Sequence, residues 1–171
     1  MHRDKTSLED LEAIHERYPF LRIPKWGTYD WDTDSYAEWL SVDEGSYYYS
    51  FPRGWWIGFG EKMCEELRDA LLKYGGNTLL HSVNISELKE KWGNLVFEMS
   101  IPTYIELDKK AYDEIGRIIA KYERLSGGVC YECGKPARWI SKGYILPYCT
   151  ECKEKQKHGT FEPIIMAGVF I

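Results

Sequence analysis

Four of the five cysteines fall into two CxxC pairs, Cys130-Tyr-Glu-Cys133 and Cys149-Thr-Glu-Cys152, with fifteen residues between the pairs. That spacing belongs to a structural zinc site: each CxxC turn aims two sulfurs at one cation, and two turns complete a tetrahedron. Gly134, directly after the first pair, suits the tight backbone of a metal knuckle because glycine tolerates positive φ. The competing chemistries are two disulfides or a redox dithiol. Disulfides need an oxidising compartment, which nothing in the chain indicates. A redox CxxC sits at the mouth of a βαβ unit, which this segment lacks. The expected cofactor is Zn2+, structural, on Cys130, Cys133, Cys149 and Cys152.

No other set of residues has comparable spacing. Cys64 stands alone and reads as a small, half-buried apolar residue rather than a nucleophile. Asp30, Asp32 and Asp34 alternate like the start of a calcium loop. Ser35 then stands where such a loop needs glycine, and Ser41 where it needs a bidentate glutamate, so a solvated acidic turn capping the next helix is expected. His15 lies off the apolar stripe of its helix and reads as solvated, and His158 is an unneeded alternative ligand. Glu90 falls between Leu88 and Trp92 on an apolar face, where a carboxylate needs a partner. An ion pair is expected there ahead of general acid–base work, because no partner acid or base can be named. No catalytic residue is assigned, and the chain reads as a non-enzyme.

The elements that must position these groups follow from periodicity. Ser7 opens a helix with Leu8, Leu11, Ile14 and Tyr18 on one stripe, and Pro19 closes it. Residues 19–60 predict short strands, turns and a helical turn from Ser35 through Leu40. Within them, Phe51-Pro-Arg-Gly-Trp-Trp-Ile-Gly-Phe-Gly60 should be broken into turns by its glycines. A helix is predicted over 61–74, with Gly75-Gly76 as its stop. A hairpin follows, with arms 88–92 and 95–99 and a type II′ turn at Gly93-Asn94. Ser82 to Ser86 extends its first arm across a bulge near Glu87. Asp108 caps an amphipathic helix over 109–125, which should pack on the hairpin and tether the zinc unit. Between the CxxC pairs a two-stranded ribbon turns at Lys142-Gly143. The fold class is α+β: an antiparallel hairpin or sheet on amphipathic helices, with a C-terminal zinc-ribbon-like unit. Its divisions are a body over 1–128, a zinc unit over 129–158 and an apolar segment over 159–171. That last segment either adds a strand, packing back on the body, or serves a partner chain.

At 171 residues the chain is long enough to bury a core of its own, and its aromatic content of 15% argues against disorder. The polar start and the lack of a long apolar run predict no leader and no membrane span, and reduced thiols then fit the cytoplasm. A net charge of -5 disfavours a general nucleic-acid binder. The charge is uneven: residues 1–60 carry 11 acids and 6 bases, whereas residues 130–171 carry 4 acids and 6 bases.

Four pieces in this order, Gly54-Trp55, Lys89-Glu-Lys-Trp-Gly-Asn-Leu95, Glu123-Arg-Leu-Ser126 and the Cys130–Cys152 unit, resemble a family of small uncharacterised bacteriophage and prophage proteins. The resemblance spans about residues 50–152. It implies a phage or mobile-element setting and brings no activity. Two functions from different classes are expected. The first is a protein-binding module for a host or defence protein, using the acidic, aromatic N-terminal half. The second is nucleic-acid binding by the ribbon, where Trp139, Tyr144 and Tyr148 lie among Lys135, Arg138 and Lys142.

Overall fold

A computed structural model of the chain describes residues 6–164. The α+β class holds: the helices share a core with the hairpin of residues 84–100, and the four cysteines sit in a ribbon-like unit with a small apolar cluster of its own.

Helix α1 (Leu8–Arg17) starts as its cap dictates: the Asp10 N–H donates to Ser7 Oγ at 3.1 Å, and the Ser7 hydroxyl donates to the Asp10 carboxylate at 2.6 Å. Leu11 and Tyr18 are buried, while Leu8 stays exposed. A 3-10 turn at Pro19–Leu21 sends Phe20 and Leu21 into the core. The helical turn expected from Ser35 does not form. Instead β1 (Tyr29–Asp30) pairs antiparallel with β2 (Ser35–Tyr36). The Ser35 hydroxyl, needed for a cap, bonds Thr33 Oγ1 at 2.8 Å, and Tyr29 meets Tyr36 edge-on across the strands at 4.9 Å. The acidic turn between them therefore closes a hairpin instead of capping a helix.

The glycine-rich stretch before residue 61 departs furthest from the sequence expectation. It is not broken into turns: α2 (Arg53–Trp55) runs through a π-helical turn (Trp56–Gly60) into α3 (Glu61–Ser82). Glycine weakens a helix by exposing backbone, yet the same bareness lets another backbone come close, and that use prevails here. Along α3, Met63, Leu67 and Leu71 are fully buried. Gly76, at φ 62 and ψ -157, does interrupt the helix where a stop is expected. The chain then resumes helical geometry to Ser82 and buries Leu79 and Leu80.

Strands β3 (Asn84–Lys91) and β4 (Asn94–Ser100) form the hairpin, with Leu88 opposite Phe97 and a register shift between Ile85 and Glu87. The turn is one residue earlier than expected: Trp92 (φ 55) and Gly93 (φ 81) are both left-handed, as in a type I′ turn. Glu90 explains this choice, for its Oε1 accepts the Gly93 N–H at 2.7 Å and so pins the turn. Its partner is thus a backbone N–H and not the cation expected from sequence.

Helix α4 (Lys109–Ser126) begins at Asp108, whose carboxylate accepts the Ala111 N–H at 2.8 Å. It buries Ala111, Ile115 and Tyr122 against β4 and α3. Its last turn finishes the sheet: Glu123 Oε1 accepts the Phe97 N–H at 3.0 Å, and Ser126 Oγ accepts the Leu95 N–H at 2.8 Å. In an antiparallel pair alternate residues turn their N–H away from the partner strand, and these two outward donors are met by helix side chains.

The ribbon comprises β5 (Trp139–Ser141), β6 (Pro147–Tyr148), α5 (Thr150–Glu154) and β7 (Phe161–Pro163), in the strand order β6-β5-β7. The described part of the C-terminal segment forms a strand, as expected of it. There β7 pairs with β5 inside the ribbon, and residues 165–171 lie outside the described residues.

Candidate functional site

Two tight turns bring the four cysteines together. The first is a knuckle closed by the Gly134 N–H donating to the Cys130 carbonyl at 3.0 Å, with Gly134 at φ 79. The second is the start of α5, where Cys149 is the cap and its sulfur accepts the Cys152 N–H at 3.4 Å. The four Sγ atoms all lie within 4.8 Å of one another, and those of Cys133 and Cys149 are 3.6 Å apart. A disulfide requires about 2.05 Å between sulfurs. Tetrahedral ligation at a Zn–S length near 2.3 Å places sulfurs roughly 3.8 Å apart. The constellation therefore fits a metal ion, and none of these thiols is in a disulfide.

Electrostatics agree. Burial pushes the Cys130 and Cys152 thiols above their ordinary range. Burial acts likewise on Cys149, but the Cys152 N–H and the neighbouring thiols outweigh it and hold that thiol lower. Thiolates this close repel one another, and a cation held between them removes that cost. Lys135 bridges the two turns through Glu151 at 2.7 Å.

The knuckle is seated on the body. The Gly54 N–H donates to the Tyr131 carbonyl at 2.9 Å, and the Trp55 indole N–H donates to the Val129 carbonyl at 3.0 Å. A Cβ on Gly54 would run into the Cys130 carbonyl and stand 2.6 Å from that of Tyr131, and one on Gly58 would stand 3.0 Å from that of Gly134. The spacing Gly54-x-x-x-Gly58 puts both glycines on one helical face, so the knuckle backbone lies directly on α2 and the π turn. Sequence reasoning misses this by taking the glycines as breakers; their i, i+4 spacing is the available signal.

The other candidates are scattered. Cys64 is fully buried on α3, and burial raises its thiol far from nucleophilic use. Glu90 holds the hairpin turn, and the Asp30 carboxylate accepts the Asp32 N–H at 2.9 Å within the β1–β2 turn. His158 is exposed and lies outside the cysteine cluster. His15, expected to be solvated, is buried: its Nε2 sits 2.6 Å from the Ser46 hydroxyl, and burial with the nearby Arg22 charge lowers its pKa to about 4. Its helix is gripped on that side by residue 46, a contact that no α1 periodicity reports. Among the described residues, no other three or more His, Cys, Asp or Glu side chains converge as the four cysteines do.

A second feature is a groove of about 710 Å³ beside the β1–β2 hairpin, reaching the bulged end of β3. Trp26 and Trp31 line it and are 96% and 86% exposed, more than any other large apolar side chain among the described residues. No helix among the described residues is long and apolar enough to cross a membrane. No family model, curated protein or solved structure matches the chain.

Proposed function

We propose that this chain is a zinc-stabilised, non-enzymatic protein-binding module, of phage or mobile-element origin and acting on a host protein in the cytoplasm. The observation that carries the reading is the pair of exposed indoles, Trp26 and Trp31, flanking an open groove. Contiguous exposed rings are costly to leave in water and are typical anchors of protein interfaces.

Zinc is the metal of choice for four thiolates at tetrahedral spacing, and four protein ligands leave no position for a substrate or water. Residues Cys130, Cys133, Cys149 and Cys152 would hold it, and its role would be to replace the core that a small ribbon lacks. The nucleic-acid reading has less support. Lys135 is paired with Glu151, Lys142 with Glu162, and Lys153 lies over the Trp139 ring at 3.4 Å, while Tyr148 is buried. Phosphate would have to compete with these pairs, which leaves Arg138 and the exposed Tyr144 as the ribbon's open groups.

The test is affinity capture from a bacterial lysate with the tagged chain beside its Trp31→Ala variant. A stoichiometric protein captured by the former and lost by the latter supports the module. Retention of nucleic acid with no protein at comparable amount overturns it.

A further inference from the structure

We propose that the groove beside the β1–β2 hairpin receives a lysine or arginine side chain from a basic segment of the partner. This rests on the protein-binding reading and names the chemistry that the same surface selects.

Charge is the first reason. From Lys25 to Pro52 the chain carries six carboxylates, Asp30, Asp32, Asp34, Glu38, Asp43 and Glu44, and one base, Lys25, which is paired with Glu38. Asp34 itself lines the groove, and none of the lining residues is a base. An anionic ligand would be repelled, and a neutral one would gain nothing from this field.

The rings supply the second. Tyr29 meets Trp31 at 4.7 Å and Tyr36 at 4.9 Å, both edge to face. Rings locked at steep angles turn their electron-rich faces in several directions, the arrangement that attracts a cation from more than one side. Trp39 of this segment already meets a cation from outside it, for the Arg22 guanidinium lies over its ring at 4.7 Å.

The third is an unmet acceptor. Asn84, which lines the groove where β3 begins, is only 4% exposed, and its Oδ1 has no hydrogen-bond partner among the described residues. A buried acceptor without a donor is unstable unless something supplies one. Ammonium and guanidinium groups are donors only, whereas a hydroxyl or amide brings an acceptor of its own. A cation thus suits the rings and the Asp34 carboxylate, which also accepts the Tyr29 hydroxyl, and it brings only donors to the edge at which Asn84 lies.

The experiment follows the indole N–H resonances of the full, metal-loaded chain by NMR during titration with acetylated tetralysine and tetraarginine amides. Cellotetraose and tetraglutamate serve as neutral and acidic probes. The expected result is a shift of the Trp26 and Trp31 signals with a cationic peptide only, weakened about tenfold by Trp31→Ala and by Asp34→Asn. Trp31 is exposed and Asn matches Asp in shape and in tolerance of the left-handed φ of 52 at position 34, so both variants should stay folded. The proposal is overturned by silent indoles with both cationic peptides, by an equal response to cellotetraose or tetraglutamate, or by a response indifferent to both substitutions. If a protein partner is captured through Trp31 while the cationic peptides leave the indoles silent, the module stands and the cation site falls. If the cationic peptides bind and no protein is captured, the cation site stands and the module falls.

Discussion

The carbonyl oxygen of Gly54 stands 2.7 Å from the point that a Cβ on Gly134 would occupy, although eighty residues separate the two glycines. Backbone meets backbone there, so the metal knuckle and the body are joined through positions where even a methyl group has no room.

Replacing Gly54 by alanine isolates that contact. In a free helix the change would be favourable by about 1 kcal/mol. Here the new methyl collides with the Cys130 and Tyr131 carbonyls, and overpacking should instead destabilise by about 1–3 kcal/mol. Denaturant unfolding of Gly54→Ala reads the sign. A more stable variant would show that the two backbones are not in contact.

The Ser126 hydroxyl is the acceptor for the outward Leu95 N–H and is itself fully buried. Ser126→Ala leaves that N–H without a partner and should cost about 1–3 kcal/mol. Amide exchange at Leu95 should rise more than at Phe97, whose acceptor is the Glu123 carboxylate. Equal exchange at both would mean that the helix end frays as a unit and that the hydroxyl has no special part.

Much of this architecture is legible in the sequence, because it rests on local rules. The caps at Ser7 and Asp108, the buried faces of α3 and α4, the bulge between Ile85 and Glu87, and the cysteine pairing follow from periodicity, capping and spacing. What is not legible depends on distant partners. Gly54 and Gly58 read as breakers because nothing nearby says that a knuckle 76 residues beyond Gly58 will lie on them. Glu90 lacks a visible partner because that partner is a backbone N–H, which every sequence contains. His15 sits off its helix's stripe, yet a loop ending at Ser46 covers it. Strand and helix also compete at Ser35, where the Tyr29–Tyr36 ring contact outweighs a plausible cap.

Metal content is the third measurement. The chain should carry a single equivalent of zinc, bound by all four cysteines, and lose it to chelator or on Cys133→Ser. Chelation should raise amide exchange from Cys130 to Cys152 and also at Gly54, whose N–H is held by the Tyr131 carbonyl at 2.9 Å. The α4 interior, with Ile115 and Tyr122 in the core, should remain protected. Uniform loss of protection would mean that the body depends on the metal, and no change would mean that it is not bound there.

His15 gives the pH dependence. Its pKa is lowered from 6.5 to about 4 in the folded chain, so the unfolded chain binds the proton more readily. Stability from this group is full above pH 6.5, falls as the pH drops below it, and levels off below about 4. Glu12, Glu16, Arg22 and His81 line the same cleft, so His15 is not the only group there that can carry charge. The readout is therefore the difference between the parent chain and His15→Gln, which should change across that window as the variant loses the slope. Parallel pH profiles would remove His15 as the cause.

The order of synthesis gives the Gly54–Gly134 contact a further meaning. Translation at roughly 5–20 residues per second separates the two glycines by several seconds. During that interval the bare backbone face of Gly54 and Gly58 exists without its cover, beside a Trp55 indole still lacking the Val129 carbonyl. The cysteines thus arrive after the glycines on which their knuckle lies, and the open face is closed only once they have been made.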